Sequence, residues 1–247
     1  MTVLIVTGAA RGIGAAISRR AARDGFDVVV NYHRDRAAAE AVVADVEAQG
    51  RRAVAVRADV AAEDEVAALF ARADEMGPLG AVVANAGVTG DVLGRLDQQT
   101  AATVRRVMDV NVTGVFLCMR EAVHRLSTTH GGAGGSIVAI SSTAAHRGSP
   151  GEWVHYAASK AAVETMVRGL ALEVGGEGIR VNAVAPGTTN SDLHAAAGAP
   201  DRPQRVAARI PLGRPGEPEE IAEGVAWLLS PAASFVTGAI LPISGGF

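Results

Sequence analysis

Lysine is almost missing from this chain of 247 residues: of its 23 basic residues 22 are arginine, and Lys160 stands alone. Cysteine is as scarce, since Cys118 is the sole thiol and lies in the apolar stretch GVFLCMREAV. One thiol can build neither a disulfide framework nor a thiolate metal cluster, so a buried structural role is expected and no metal site. Charge of one sign is not in excess, the formal net charge being -3, with no basic stripe and no acidic tail. That excludes the electrostatic footprint of a nucleic-acid binder and favours a small-molecule partner. No apolar run reaches membrane-spanning length, and MTVLIVTGAARG enters a strand pattern without a charged leader. A soluble, cytoplasmic protein with no membrane partner is the expectation.

What is present is alternation. Short β-branched runs recur at VLIV, FDVVVNY, RAVAVR, AVVAN, SIVAIS, IRVNAVA and TGAILPI, with helix-patterned stretches between most of them. Runs that are apolar throughout suit strands buried on both faces of a parallel sheet, which needs crossover helices. The expected fold is α/β, a doubly wound seven-stranded parallel sheet of Rossmann type with helices on both faces. No linker divides the chain, so residues 1–247 are expected to form a single dinucleotide-binding and catalytic domain. GGAGGS at 131–136 is a turn into the fifth strand, and 188–214, polar and rich in Ala, Gly and Pro, has the character of a substrate lid.

Directly after the first strand comes Thr7-Gly8-Ala9-Ala10-Arg11-Gly12-Ile13-Gly14, followed by a helical pattern. Glycines let backbone approach a pyrophosphate, and a helix N-terminus offers free N–H groups and a favourable dipole. Gly8, Arg11, Gly12, Ile13 and Gly14 are therefore candidate cofactor contacts. The second strand closes in Asn31-Tyr32-His33-Arg34, where NAD-preferring sheets carry an acid for the ribose 2′-hydroxyl. With Asn31 in that place and Arg11 and Arg34 able to flank a 2′-phosphate, NADP(H) is favoured and NAD(H) is the alternative.

Tyr156 and Lys160 sit four apart in a helical pattern and so project from one face. A free phenol titrates near pH 10 and a neighbouring ammonium favours the phenolate, so the lysine is expected to tune the tyrosine as a general acid/base. With two tyrosines in the chain, a lone lysine would fall four residues after one by chance in about 1% of placements. Arginine offers a wide planar fork and lysine a compact point charge, which explains why this position alone keeps lysine. Upstream, the fifth strand ends in Ile140-Ser141-Ser142, where a hydroxyl can donate to a substrate oxygen as negative charge develops.

With these residues in hand the chain resembles the short-chain dehydrogenase/reductase family, in its compact single-domain branch that includes beta-ketoacyl carrier-protein reductases and glucose-dehydrogenase-like enzymes. The likeness runs through the glycine loop, Asp59-Val60, Asn85-Ala86-Gly87, Asn111, Ser142, Tyr156, Lys160, Pro186-Gly187 and the closing VTGAILPISGG. It implies an NADP(H)-dependent oxidoreductase that moves hydride between the nicotinamide and a carbonyl or secondary alcohol. By the same likeness Asp59 and Val60 contact the adenine, Asn85, Ala86 and Gly87 border the cofactor, and Pro186, Gly187 and Thr189 complete its site. Lys160 also holds the nicotinamide ribose, Tyr156 passes the proton, Ser142 steadies the substrate oxygen, Asn111 helps hold a relay water, and the assembly is a homotetramer.

Three features depart from the family pattern, one being Ala84-Asn85 where a pair of asparagines is usual at the fourth strand. Ser142 lies fourteen residues before Tyr156 where about thirteen are usual, so AAHRGSPGEWVH must absorb an extra residue, and Ser141 or Thr143 remain alternatives. Thr189 and Ser191 stand where an apolar residue and a threonine are common. A pocket wall is expected from Val88, His146, Trp153, His155 and Leu193–Ala199, with both histidines read as surface imidazoles and Arg202, Arg205 and Arg209 as a solvated lid face. The alternative to an enzyme is a catalytically silent NADP(H)-sensing regulator of the same fold.

Overall fold

The computed structural model describes residues 2–247. In chain order these form β1 (Val3–Val6), α1 (Gly12–Arg23), β2 (Asp27–Tyr32), α2 (Arg36–Glu47), β3 (Ala53–Arg57), α3 (Glu63–Asp74) and β4 (Leu79–Ala84). There follow α4 (Ala101–Met108), α5 (Gly114–Leu126), β5 (Gly135–Ile140), α6 (Ala144–Arg147), α7 (Val154–Val174), β6 (Ile179–Pro186), α8 (Asp192–Ala196), α9 (Arg202–Val206), α10 (Pro218–Leu229) and β7 (Ile240–Ile243). The seven strands make one sheet in the order β3-β2-β1-β4-β5-β6-β7, every neighbouring pair parallel. This is the doubly wound α/β sheet expected from the strand runs.

Alternation along β1 shows why both faces are covered. Val3 and Ile5 point into a core with Leu69, Phe70, Val115 and Val163 from α3, α5 and α7. Leu4 and Val6 point the other way, onto Ile17, Val42, Ile221 and Val225 from α1, α2 and α10. Successive strand residues face opposite sides, so a run of four apolar residues serves two cores at once. Cys118 lies inside the first core, and burial pushes its thiol up to about 12. A thiol so disfavoured as thiolate is a packing residue.

The chain reverses direction through the sheet between β1 and β4, and the loops following these two strands diverge at their carboxyl ends. Open α/β sheets bind ligands in that crevice. Between α4 and α5 the helix widens into a π-helical turn at Asp109–Thr113, with Asn111 at its centre. Such turns are rare and favour functional sites because they re-aim a side chain. Among the described residues no helix is long and apolar enough to cross a membrane, and no three His, Cys, Asp or Glu side chains group to hold a metal.

Candidate active site

The cradle after β1 is shaped by contacts that only glycine allows. Gly8 and Gly12 have φ of +62° and +53°, and a Cβ on Gly14 would lie 2.4 Å from the Gly8 carbonyl and 2.6 Å from Asn85 Nδ2. Left-handed φ and so close an approach both exclude a side chain. Arg11, which precedes α1, makes no side-chain cap, so the first N–H groups of this twelve-residue helix are free to meet an anion. Thr7 ties the cradle to β4: its hydroxyl accepts from the Asn85 and Ala86 amides at 2.9 and 3.0 Å. Asn85 returns the contact, donating from Nδ2 to the Thr7 and Gly8 carbonyls at 2.8 and 3.1 Å. The cradle therefore fits a dinucleotide pyrophosphate.

Asn31 meets that cradle at the Gly8 amide and turns its side chain inward. It is buried, its Oδ1 accepts from the Gly8 amide at 3.1 Å, and its Nδ2 donates to the Val56 and Ala58 carbonyls at 3.3 and 3.1 Å. Its amide is spent holding the glycine loop to β3, so it supports the cofactor site from behind. Arg11 and Arg34 are exposed, and the carboxylate nearest Arg11 is that of Asp192 at 3.8 Å. Asp59 is drawn below the usual carboxylate range although burial opposes it, because the Ala61 amide and the Arg106 guanidinium bond its oxygens. Val60 is buried beside it and packs on Gly114, whose Cβ would stand 2.8 Å from Val60 Cγ2.

α7 carries Tyr156 and Lys160. Lys160 is buried, its Nζ donates to the Ile140 carbonyl at 2.7 Å, and burial lowers its pKa to about 8. Tyr156 is buried too, and burial pushes its phenol up, opposed by a hydrogen bond from Ser142 and by the charge of Arg202. Nζ lies 5.7 Å from the ring centroid, and desolvation outweighs the charges that favour phenolate.

The serines at the end of β5 part company. Ser141 is buried and its hydroxyl donates to Glu164 Oε1 at 2.9 Å, on the α7 side. Ser142 Oγ accepts from the Ala144 amide at 3.1 Å, which leaves its proton to bond the phenol. Thr143 begins α6 and donates from its amide to the Pro186 carbonyl at 3.0 Å. The extra residue before Tyr156 is taken up after α6, where Gly148, Ser149 and Gly151 have φ of 74°, 47° and 73°. A left-handed serine there marks a tight detour that keeps Ser142 against Tyr156.

Asn111 grips both backbone groups of Val88, accepting at Oδ1 from its amide and donating from Nδ2 to its carbonyl, each at 2.8 Å. Its Nδ2 also donates to Ser159 Oγ at 3.0 Å, and Ser159 donates to the Tyr156 carbonyl at 2.7 Å. This chain registers α7 against the end of β4. Gly87 sits in the gap, where a Cβ would stand 3.3 Å from Lys160 Nζ and 3.4 Å from Asn111 Oδ1. Ser159 escaped the sequence analysis, since serine inside a helix carries no signal of its own.

Parts of the 188–214 segment pack beside Tyr156, with Ala197 in its apolar cluster and His194 stacked on Trp153. The Pro186 carbonyl and Gly187 amide hold neighbouring strand ends, Gly187 donating to Ile243 at 2.9 Å. Thr189 turns inward, its hydroxyl on the Gly187 carbonyl at 3.2 Å, whereas Ser191 Cβ lies 3.4 Å from where a Gly12 Cβ would be. Of the two, Ser191 borders the glycine cradle. Arg202, expected on a solvated face, is instead largely buried and forks onto Glu152 at 2.9 and 2.6 Å above the Trp153 ring. Arg205 does stay at the surface, on Asp201. His155 is buried under Gly90, bonded to the Thr89 carbonyl at 2.8 Å, and so is no surface imidazole. His146 remains exposed and pairs with Glu164 at 3.0 Å.

The geometry invites comparison with known proteins. A family model described as enoyl-(acyl carrier protein) reductase matches residues 8–247. The chain is 44% identical over 247 residues to the oxidoreductase YgfF of Escherichia coli (strain K12), covering 100% of each. It is 43% identical to a cis-4-hydroxycyclohexanecarboxylate dehydrogenase of Sinomonas cyclohexanicum, over 99% of this chain and 96% of that one. Among solved structures it is similar to a short chain dehydrogenase from Burkholderia cenocepacia J2315 in complex with NADP, with a TM-score of 0.90 at 36% identity, covering 99% and 97% of the two chains. It matches a 3-ketoacyl-(acyl-carrier-protein) reductase from Brucella melitensis complexed with NADH equally well, with a TM-score of 0.90 at 32% identity and the same coverage. The likeness in sequence and in fold runs over nearly the whole length, and the chain belongs to the short-chain dehydrogenase/reductase family of oxidoreductases.

Proposed function

We propose that this protein is an NADP(H)-dependent oxidoreductase that interconverts a carbonyl compound and its secondary alcohol, with Tyr156 as the general acid/base. The observation that carries it is the meeting of Tyr156, Ser142 and buried Lys160 at the carboxyl edge of the sheet, joined through Gly87 to an uncapped glycine cradle. When bound, the nicotinamide supplies the hydride-transfer chemistry. Gly8, Gly12, Ile13, Gly14 and the α1 amides take the pyrophosphate. Asp59 and Val60 border the adenine, and Asn85, Ala86, Gly87, Pro186 and Gly187 line the rest, with Ser191 in the role expected of Thr189.

Each catalytic group holds or moves a proton at a definite atom. Tyr156 Oη gives its proton to the substrate oxygen in reduction and takes it back in oxidation. Ser142 donates to the same oxygen, and its freedom to do so follows from its lone pair being engaged by Ala144. Lys160 spends one N–H on Ile140 and has two left for ribose hydroxyls and the proton path. Asn111 is a positioning residue that sets the β4 end and α7 in register. Arg34 and Arg11 favour NADP(H) by offering guanidinium to a 2′-phosphate where β2 ends without an acid. The relative of known structure that holds NADH keeps NAD(H) as the lesser alternative.

Residues 1–247 act on this view as one catalytic domain with 188–214 as its lid, on a small substrate, in the cytoplasm, without nucleic acid or membrane. Association as a homotetramer is supported by apolar side chains left bare on α5, α7 and near β7: Phe116, Leu172 and Phe235. The experiment is spectrophotometric, mixing the protein with NADPH or NADH and a panel of ketones, acyl thioesters and sugar lactones while following the nicotinamide absorbance. Turnover with NADPH that is abolished by Tyr156→Phe is expected; no turnover and no cofactor binding would sink the proposal.

A further inference from the structure

Among the described residues, few buried side-chain atoms lack a hydrogen-bond partner, and two of them lie on rings stacked beside the reacting tyrosine. Trp153 Nε1 and His194 Nδ1 are both unpartnered, and both residues are more than nine-tenths buried. Their rings stack with centroids 6.3 Å apart at 25°, and Trp153 shares an apolar cluster with Tyr156, Ala197, Leu93 and Ala144. Leaving such atoms unmade inside a protein is costly, so a pair of them in a substrate site points to what the substrate brings.

The two atoms differ in kind. Indole N–H is a donor only. On His194, Nδ1 has no partner, and burial, helped by the charge of Arg202 and opposed by Glu152 and the Thr189 backbone, holds the ring's pKa down to about 4. The ring is neutral at working pH, and in the tautomer protonated at Nε2 the unpartnered Nδ1 offers a lone pair. A donor and an acceptor on two stacked rings suit a hydroxyl, which both accepts and donates. It does not suit a carboxylate, whose oxygens only accept and would meet the Nδ1 lone pair. Arg202, the cation that could have received an acid here, is already forked onto Glu152.

Resting on the function proposed above, we infer that the substrate is a neutral alcohol or ketone bearing a second hydroxyl group, bound between Trp153 Nε1 and His194 Nδ1 as the 188–214 segment settles over it. The reacting oxygen stays on Tyr156 and Ser142, so the second hydroxyl reads substrate identity without entering the chemistry. A site built to bond a hydroxyl discriminates strongly against the analogue that lacks it.

The test is a set of ring alcohols that differ only in the second substituent: cyclohexanol, the cyclohexane-1,3- and 1,4-diols, and 4-hydroxycyclohexanecarboxylate, each oxidised with NADP+. The wild-type protein should show kcat/KM for the better diol about 10-fold or more above that for cyclohexanol, and the acid should gain nothing. In Trp153→Phe and in His194→Phe the diol-to-cyclohexanol ratio should fall toward one. The wild-type ratio needs no variant to fold. Equal rates for diol and cyclohexanol, which would assign the pair of atoms to an ordered water, overturn the inference. Preference for the acid, or a ratio unchanged in both variants, does the same. If every ring alcohol fails while ketones or thioesters of the wider panel are reduced, the hydroxyl inference falls and the oxidoreductase function stands.

Discussion

The Lys160 ammonium donates to the Ile140 carbonyl at 2.7 Å, fastening α7 to the carboxyl end of β5 at the point where Ser142 begins its loop. One bond thus fixes the distance between the tyrosine helix and the hydroxyl that faces it. It also accounts for the survival of a single lysine in a chain that otherwise uses arginine. A compact ammonium fits between the Ile140 carbonyl and Gly87, where a planar fork does not.

Lys160→Arg should therefore keep the charge and lose activity by about 100-fold or more, read as kcat/KM for NADPH-dependent reduction. Because burial lowers this amine to about 8, its labelling by a small amine reagent should rise as pH passes through that value, and NADPH should protect it. A fully labelled protein with intact activity would remove Lys160 from the mechanism.

The two serines should separate by readout. Ser142→Ala is expected to cost roughly 100-fold in kcat with little change in Tm, since its hydroxyl faces the phenol. Ser141→Ala should do the reverse, lowering stability by about 1–3 kcal/mol through the buried Glu164 bond it removes, while activity persists. An inactive, stable Ser141→Ala protein would exchange the assignments.

Gly14→Ala tests the cradle. Its Cβ meets the Gly8 carbonyl at 2.4 Å, so the loop must shift, and destabilisation of about 1–3 kcal/mol together with lost NADPH binding is expected. Thermal melts with and without NADPH measure both effects. A variant that melts and binds like the wild type would show that the glycine approach is not required.

Arg34→Glu should weaken NADPH far more than NADH, about 10-fold or more in KM, because a carboxylate then faces the 2′-phosphate at the end of β2. Parallel titrations of the two cofactors decide it. Equal effects on both would move the cofactor choice elsewhere, Arg11 being next in line.

Glu152 and Arg202 bear on pH. The Arg202 charge and the Ser142 hydrogen bond both act on a phenol that burial holds above its ordinary value. Removing the positive charge in Arg202→Met leaves burial less opposed, so the basic group seen in the pH profile of alcohol oxidation should move to higher pH. A profile unmoved in Arg202→Met would show that the pair only seats the lid.

Much of this was legible in the residue order because it is local. Four apolar residues in VLIV specify a doubly covered strand, Gly8, Gly12 and Gly14 specify a turn that backbone alone can make, and the Tyr156–Lys160 spacing specifies a shared helix face. Each follows from side-chain periodicity or glycine sterics within a few residues. Asn31 was misplaced because a strand-end amide can turn outward to a ribose or inward to Gly8, and only the packing of β2 against β3 chose inward. Ser141 and Ser142 are equivalent as letters; their opposite directions at the end of β5 made one a packing residue and the other a partner of Tyr156.

The sequence by itself determined the strand runs, the glycine turn after β1 and the spacing of the proposed Tyr156–Lys160 pair, since those follow from residue periodicity and glycine sterics within a few positions. Only the tertiary structure decided which serine faces the phenol, that Arg202 closes on Glu152 fifty residues away, and that Trp153 and His194 stack with unmet polar atoms beside Tyr156. Those pairings join segments far apart in the chain, and no local pattern encodes a partner that the fold brings in from elsewhere.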